Sequence, residues 1–119
     1  MCFHISNKNP NEQTAKEDIV VYKVLERKSN KAIYRNFYYQ PNRTYRLRKK
    51  LELCHSSFIS TISNIHEGFH SCSTLDKAKE IKSYDWNYRK IVKFIIPKGA
   101  KYYYNQIDQE YVSTSIRMK

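Results

Sequence analysis

"KIVKFIIP", residues 90–97, decides the fold. Ile91, Val92, Phe94, Ile95 and Ile96 are β-branched or aromatic and leave no polar stripe of helical period, so the segment reads as a central strand. Pro97 cannot donate to a ladder and closes it, and Lys98-Gly99 then supplies a turn. A central strand needs neighbours on both sides, and the flanking sequence offers them. Downstream, "AKYYYN" at 100–105 and "EYVSTSIRM" at 110–118 read as strands. Upstream, "DIVVYKVLE" at 18–26 is β-branched and bounded by polar residues, as a buried strand would be.

The middle of the chain is less regular. "RKSNK" at 27–31 reads as a turn and "AIYRNFYY" at 32–39 as an aromatic strand, which together suggest a hairpin. "QPNRT" breaks the pattern because Pro41 removes a donor and biases Gln40 to an extended conformation. From Tyr45, the positions Tyr45, Leu47, Leu51 and Leu53 alternate with Arg46, Arg48 and Lys50, the pattern of a half-buried strand with a cationic outer face. "CHSSFISTIS" at 54–63 fits either a strand or a short helix. Gly68 and Phe69 open a short strand through Cys72. Ser73 with Asp76 three residues on then matches a capping box for a helix over roughly 74–83, with Leu75, Ala78 and Ile81 on one face. "SYDWNY" at 83–88 is a loop.

Mostly strands with one clear helix predicts an α+β fold, built chiefly of antiparallel strands. A chain of 119 residues supports one core. Residues 1–17, polar and Asn-rich, are expected to form an irregular N-terminal arm, and 18–119 a single α+β domain. No apolar run approaches the ~20 residues of a membrane helix, and "MCFHISNKNPNEQ" lacks the pattern of a secretory signal. Three cysteines form an odd set, which favours reduced thiols. The expectation is a cytoplasmic protein with no membrane partner. Nothing in the sequence indicates an oligomeric state.

Charge narrows the partners. The chain carries 22 Lys and Arg against 11 Asp and Glu, a formal charge of +11, which favours phosphate-bearing or acidic partners. Between Arg27 and Leu51 nine residues are basic and none is acidic, with Tyr34, Phe37, Tyr38, Tyr39 and Tyr45 interleaved. Cations for phosphates and rings for bases are what nucleotide and single-strand binders combine. Arg43, Arg46, Arg48, Lys50 and Tyr45 are therefore the candidate phosphate- or nucleotide-binding residues, with Lys23 and His70 added to the set. A second acid-free stretch, Trp86 to Ile107, contributes Arg89, Lys90, Lys93, Lys98 and Lys101. On the other side, Cys54, His55, His66, His70 and Cys72 have no Cys-x-x-Cys pair and poor spacing for tetrahedral zinc, so no metal is expected. A thiol nucleophile built from Cys54 or Cys72 with His70 lacks any spacing that implies an orienting third group.

"MCFH" at 1–4, "IVVYKV" at 19–24, "EGFHS" at 67–71, "IVKFIIPKGAKYYYN" at 91–105 and "YVSTS" at 111–115 together resemble a group of small proteins of Bacteroidetes and their phages. That resemblance brings no activity. It implies a phage-linked setting in a bacterial host cytoplasm or a virion, with an acidic host protein as a conceivable partner. Residues 69–112 also resemble the C-terminal half of mono-ADP-ribosyltransferases. In that family a Ser-Thr-Ser strand runs into a helix, and a strand enters a Pro-x-Gly turn before a Glu/Gln-x-Glu pair. Here "FHSCSTLDKAKE", "IVKFIIPKGAKYYYN" and "DQE" at 108–110 follow that order. The resemblance implies an ADP-ribosyltransferase-like fold, NAD as cofactor, Ser71 and Ser73 on the cofactor-facing strand, and Glu110 stabilising the oxocarbenium ion. Lys23 stands where an Arg or His is usual, Cys72 where Thr is, and Asp108 where the first Glu or Gln is.

The leading expectation is binding of a phosphate-rich ligand, nucleotide or nucleic acid, without turnover and without a cofactor, in one version acting against a host defence. The alternatives are a diverged ADP-ribosyltransferase-like enzyme and a structural virion protein.

Overall fold

The computed structural model describes residues 3–5, 11–33, 37–51, 54–55, 63–65 and 68–119. In chain order the elements are β1 (Phe3–Ile5), β2 (Gln13–Thr14), β3 (Ile19–Glu26), β4 (Thr44–Arg46), β5 (Cys54–His55), β6 (Ser63–Ile65), β7 (Phe69–Cys72), α1 (Leu75–Lys82), β8 (Arg89–Ile96), β9 (Lys101–Asn105), β10 (Glu110–Ser113) and β11 (Ser115–Met118). Eight strands form one antiparallel sheet in the order β2-β9-β10-β7-β3-β8-β11-β4. β1, β6 and β5 form a smaller sheet, with β1 lying against β9 and β10.

The stretch 90–97 is an inner strand, as its composition requires. β8 pairs with β3 along its whole length, from Ile19↔Ile96 to Glu26↔Arg89, and Phe94 and Ile96 are fully buried. β3 is apolar on both faces for the same reason: Val21 and Leu25 enter the main core with Phe94, Ile96, Ile116 and Met118. Val24 and Tyr22 face the other way, onto Cys72 of β7 and Ala78 of α1.

The expected last strand is two strands. β10 pairs with β7 and β9, β11 with β8 and β4, and Thr114 alone joins them. In a flat sheet the four gaps from β10 to β11 would span about 19 Å, whereas Ser113 to Ser115 reaches about 7 Å at most. The sheet therefore curls until its two parts meet at this corner, wrapping the core. Thr114 is held there by its own N–H donating to Lys101 O (2.9 Å), its carbonyl accepting from Leu47 N (2.7 Å) and its hydroxyl accepting from Lys101 N (3.1 Å).

Four further expectations need correction. Residues 32–39 do not pair with β3 as a hairpin strand, because β8 and β7 occupy its two edges. After the turn at 27–29 the chain makes only isolated bridges, Leu25↔Ala32 and Lys31↔Tyr38, and curls back so that Tyr39 is buried in the main core. Residues 34–36 lie outside the described residues. The strand expected from Tyr45 to Leu53 stops at Arg46, where β11 starts; the chain bends at 48–49 and buries Leu51 beside Tyr103 and Val112. Leu53 lies outside the described residues. The N-terminal arm is not irregular throughout: β2 adds to β9, and Ala15 is buried with its N–H on Ala100 O (2.9 Å) and its carbonyl accepting from Gly99 N (2.8 Å). The helix cap is Thr74 rather than Ser73, its hydroxyl accepting from Lys77 N (3.2 Å). Of the 54–63 stretch, 54–55 and Ser63 are in strands and the rest lies outside the described residues. Among the described residues no helix is long and apolar enough to cross a membrane.

Candidate functional site

β7 pairs with β10 over four residues but meets β3 at one register pair, Tyr22↔Cys72. Where β3 and β7 part, a cleft of about 70 Å³ opens, lined by Lys23, His70, Ser71, Cys72 and Glu110 and walled by Ile33 and Ile81. Five side chains able to do chemistry thus converge from three adjacent strands. Lys23 bridges the gap: its ammonium donates to the carbonyl of His70 and lies 5.4 Å from the centroid of the Tyr39 ring. A half-buried ammonium needs such acceptors to offset lost hydration.

Ser71 is 4% exposed, and its hydroxyl is buried with no hydrogen-bond partner among the described residues. Such a hydroxyl costs about 1–3 kcal/mol unless water or a ligand satisfies it. Cys72 beside it has its thiol pushed up to about 11, by burial first and then by the Glu110 carboxylate, against the pull of Lys23 and Lys77. A thiol this basic is neutral near pH 7 and a weak nucleophile.

Glu110 begins β10 opposite Cys72. The turn before it is rigidly built. The Asn105 side-chain oxygen accepts from Ile107 N (3.0 Å) and Asp108 N (3.2 Å), while its amide donates to Asp108 Oδ2 (3.0 Å). Gln109, at φ 54°, then turns its carbonyl to Ser73 N (2.8 Å) and its side chain to the Thr74 hydroxyl (3.2 Å). This ties the start of β10 to the start of α1 and sets Glu110 at the cleft. Asp108 is spent on the turn. Ser73 does not line the cleft; its hydroxyl lies 3.5 Å from the Tyr104 hydroxyl. Asn105 carries no catalytic residue type, and its only signal in the sequence is the turn-forming tendency of Asn and Asp at Asn105 and Asp108.

The cationic set lies elsewhere. β4 is the far edge of the sheet, separated from β3 by β11 and β8. Arg43 sits 5.7 Å from the Tyr45 ring centroid, and Arg46, Arg48 and Lys50 are exposed. The Tyr45 ring is engaged in packing: it meets Tyr39 and Phe37 edge-on at 5.2 Å, and its hydroxyl accepts from Gln40 N (2.8 Å). Arg46 and Lys98 line a second cavity of about 350 Å³ with Gly99, Thr114 and Ser115. So Lys23, His70, Ser71 and Glu110 come together, and Arg43, Tyr45, Arg46, Arg48 and Lys50 do not join them. Among the described residues no group of three His, Cys, Asp or Glu could hold a metal; the side chains of Cys54, His55 and His66 lie outside the described residues. No family model matches this chain, and neither a curated protein nor a solved structure does.

Proposed function

We propose that the cleft between β3, β7 and β10 is a nucleotide site of the ADP-ribosyltransferase type, with NAD as cosubstrate. The carrying observation is the meeting of Lys23, Ser71 and Glu110, separated by 48 and 39 positions in sequence, around a buried hydroxyl that lacks a partner among the described residues. In such a transfer the C1′–N bond breaks and its electron pair leaves with nicotinamide. The ribose becomes cationic, and an acceptor nucleophile bonds to C1′ and loses its proton. A fixed carboxylate stabilises that cation, which is the role given to Glu110. A volume of about 70 Å³ admits a ribose edge, not a dinucleotide, so the phosphates lie over the mouth. Incubation with labelled NAD tests this: wild-type protein should label itself or a host extract, Glu110→Gln should not, and the exposed Gln106→Ala should label normally. Wild-type protein that transfers nothing under any condition removes the reading.

Binding without turnover is the second reading, favoured by a separate observation, the cavity between Arg46 and Lys98. Arg46→Gln with Arg48→Gln should then weaken binding of phosphate ligands and flatten its salt dependence. Unchanged binding in that double variant counts against it.

A further inference from the structure

Between α1 and β8 the chain exposes Tyr84 (78%), Trp86 (56%) and Tyr88 (69%), every second residue of a five-residue stretch. Three large rings in water are an apolar liability that a monomeric surface rarely carries without use. Their base is fixed. Tyr88 O accepts from Arg27 N (2.7 Å), Tyr88 N donates to Asp85 O (3.2 Å), and Arg89 Nη1 donates to Ile81 O (3.0 Å). Lys82 Nζ sits 3.7 Å from the centroid of the Trp86 ring.

The last of the rings, Tyr88, lines a groove of about 730 Å³ together with Arg27, Lys28 and Arg89 and the acids Glu26 and Asp85. Glu26 is already engaged, by Lys31 (3.8 Å) and the Ser29 hydroxyl (3.1 Å). Asp85 is the one acid lining the groove with no ion pair among the described residues. Three cations thus line the groove against two acids, one of them already paired, and the exposed stretch 84–88 leads into it at Tyr88.

We propose that this groove binds single-stranded nucleic acid, with phosphates on Arg27 and Lys28 and bases stacked on Tyr88 and, leading away from the groove, on Trp86 and Tyr84. Positive charge alone would suit an acidic peptide as well. The exposed rings at alternate positions favour bases, because every base offers a π-face. Duplex DNA hides those faces within its own stack, so the single strand is the occupant. Ile33 lines both this groove and the cleft at Glu110. A strand in the groove thus lies next to the cleft and would serve as the acceptor; that last step rests on the ADP-ribosyltransferase reading, whereas the binding does not.

Trp86 is the only tryptophan of the chain, so its fluorescence reports stacking directly. Titration of the full chain with oligothymidylate should quench it saturably at low salt, and the affinity should fall as salt rises. Tyr84→Ala and Tyr88→Ala should each weaken binding about tenfold. Arg27→Gln with Lys28→Gln should weaken it and lessen the salt dependence. Glu110→Gln should bind like wild type even though it transfers nothing, which separates failure of this site from failure of the catalytic reading. The proposal is overturned by absence of saturable quenching, by unchanged affinity in both tyrosine variants, or by equal binding of oligoglutamate or of duplex of the same length.

Discussion

Gly68 shows how little room the start of β7 leaves. Its φ is +142°, and a Cβ there would stand 2.4 Å from Val112 Cγ2 and 2.9 Å from Leu51 Cδ2. Val112 is fully buried and cannot retreat. Gly68→Ala combines backbone strain with overpacking, and we expect a loss of about 2–5 kcal/mol in denaturant unfolding; a loss under about 1 kcal/mol would mean the approach is looser than this. Cys72 makes a second residue-scale prediction. Its thiol titrates near 11 in the folded chain against an ordinary 9.0, so between those values the unfolded state has lost a proton that the folded state keeps. The contribution of this thiol to stability should therefore be level below pH 9 and fall by about 2–3 kcal/mol as pH rises to 11. Tyr103 and Tyr111, both raised by burial, add to the fall at its upper end. In Cys72→Ala the fall between pH 9 and 10 should be smaller, measured by urea midpoints at each pH.

Among the elements, α1 tests the reading of its own start. The Thr74 hydroxyl caps Lys77 N and also donates to Gln109, so Thr74→Ala should cost about 1–2 kcal/mol. Ser73→Ala, which loses only a 3.5 Å contact with Tyr104, should cost a few tenths by the same measurement. Equal losses would return the cap to Ser73. The corner at Thr114 is the other element-scale device. Thr114→Val removes the acceptor of Lys101 N and should cost about 1 kcal/mol in the same unfolding experiment.

For the whole molecule, a charge of +11 on 119 residues sets a repulsion that added salt relieves. Melting temperature should rise between low and physiological ionic strength, and a flat response would mean the cations are already dispersed enough not to oppose folding. Their dispersal follows from the sheet: Arg46 is on the edge strand β4, whereas the groove at Arg27 is lined from the β3 and β8 ends at Glu26 and Arg89, with β11 between β8 and β4. The sequence by itself determined the strongly patterned elements. β3, β7, α1 and β8 were legible because a buried strand must be apolar and a helix start must satisfy its N–H groups, and both demands are local. It could not show the break at Thr114, since "EYVSTSIRM" is uniformly strand-like and only the closing of the sheet requires two halves. Nor could it show that Tyr39 and Tyr45 are core rings while Tyr84, Trp86 and Tyr88 face water. An aromatic side chain is driven to bury by the same free energy wherever it stands in the chain, and which rings succeed is decided by the space the curled sheet leaves. The candidate site divides the same way. Glu110 and Ser71 could be named from order and residue type, but their meeting with Lys23 depends on β7 lying between β10 and β3, and strand order is chosen by long-range packing that no local pattern records.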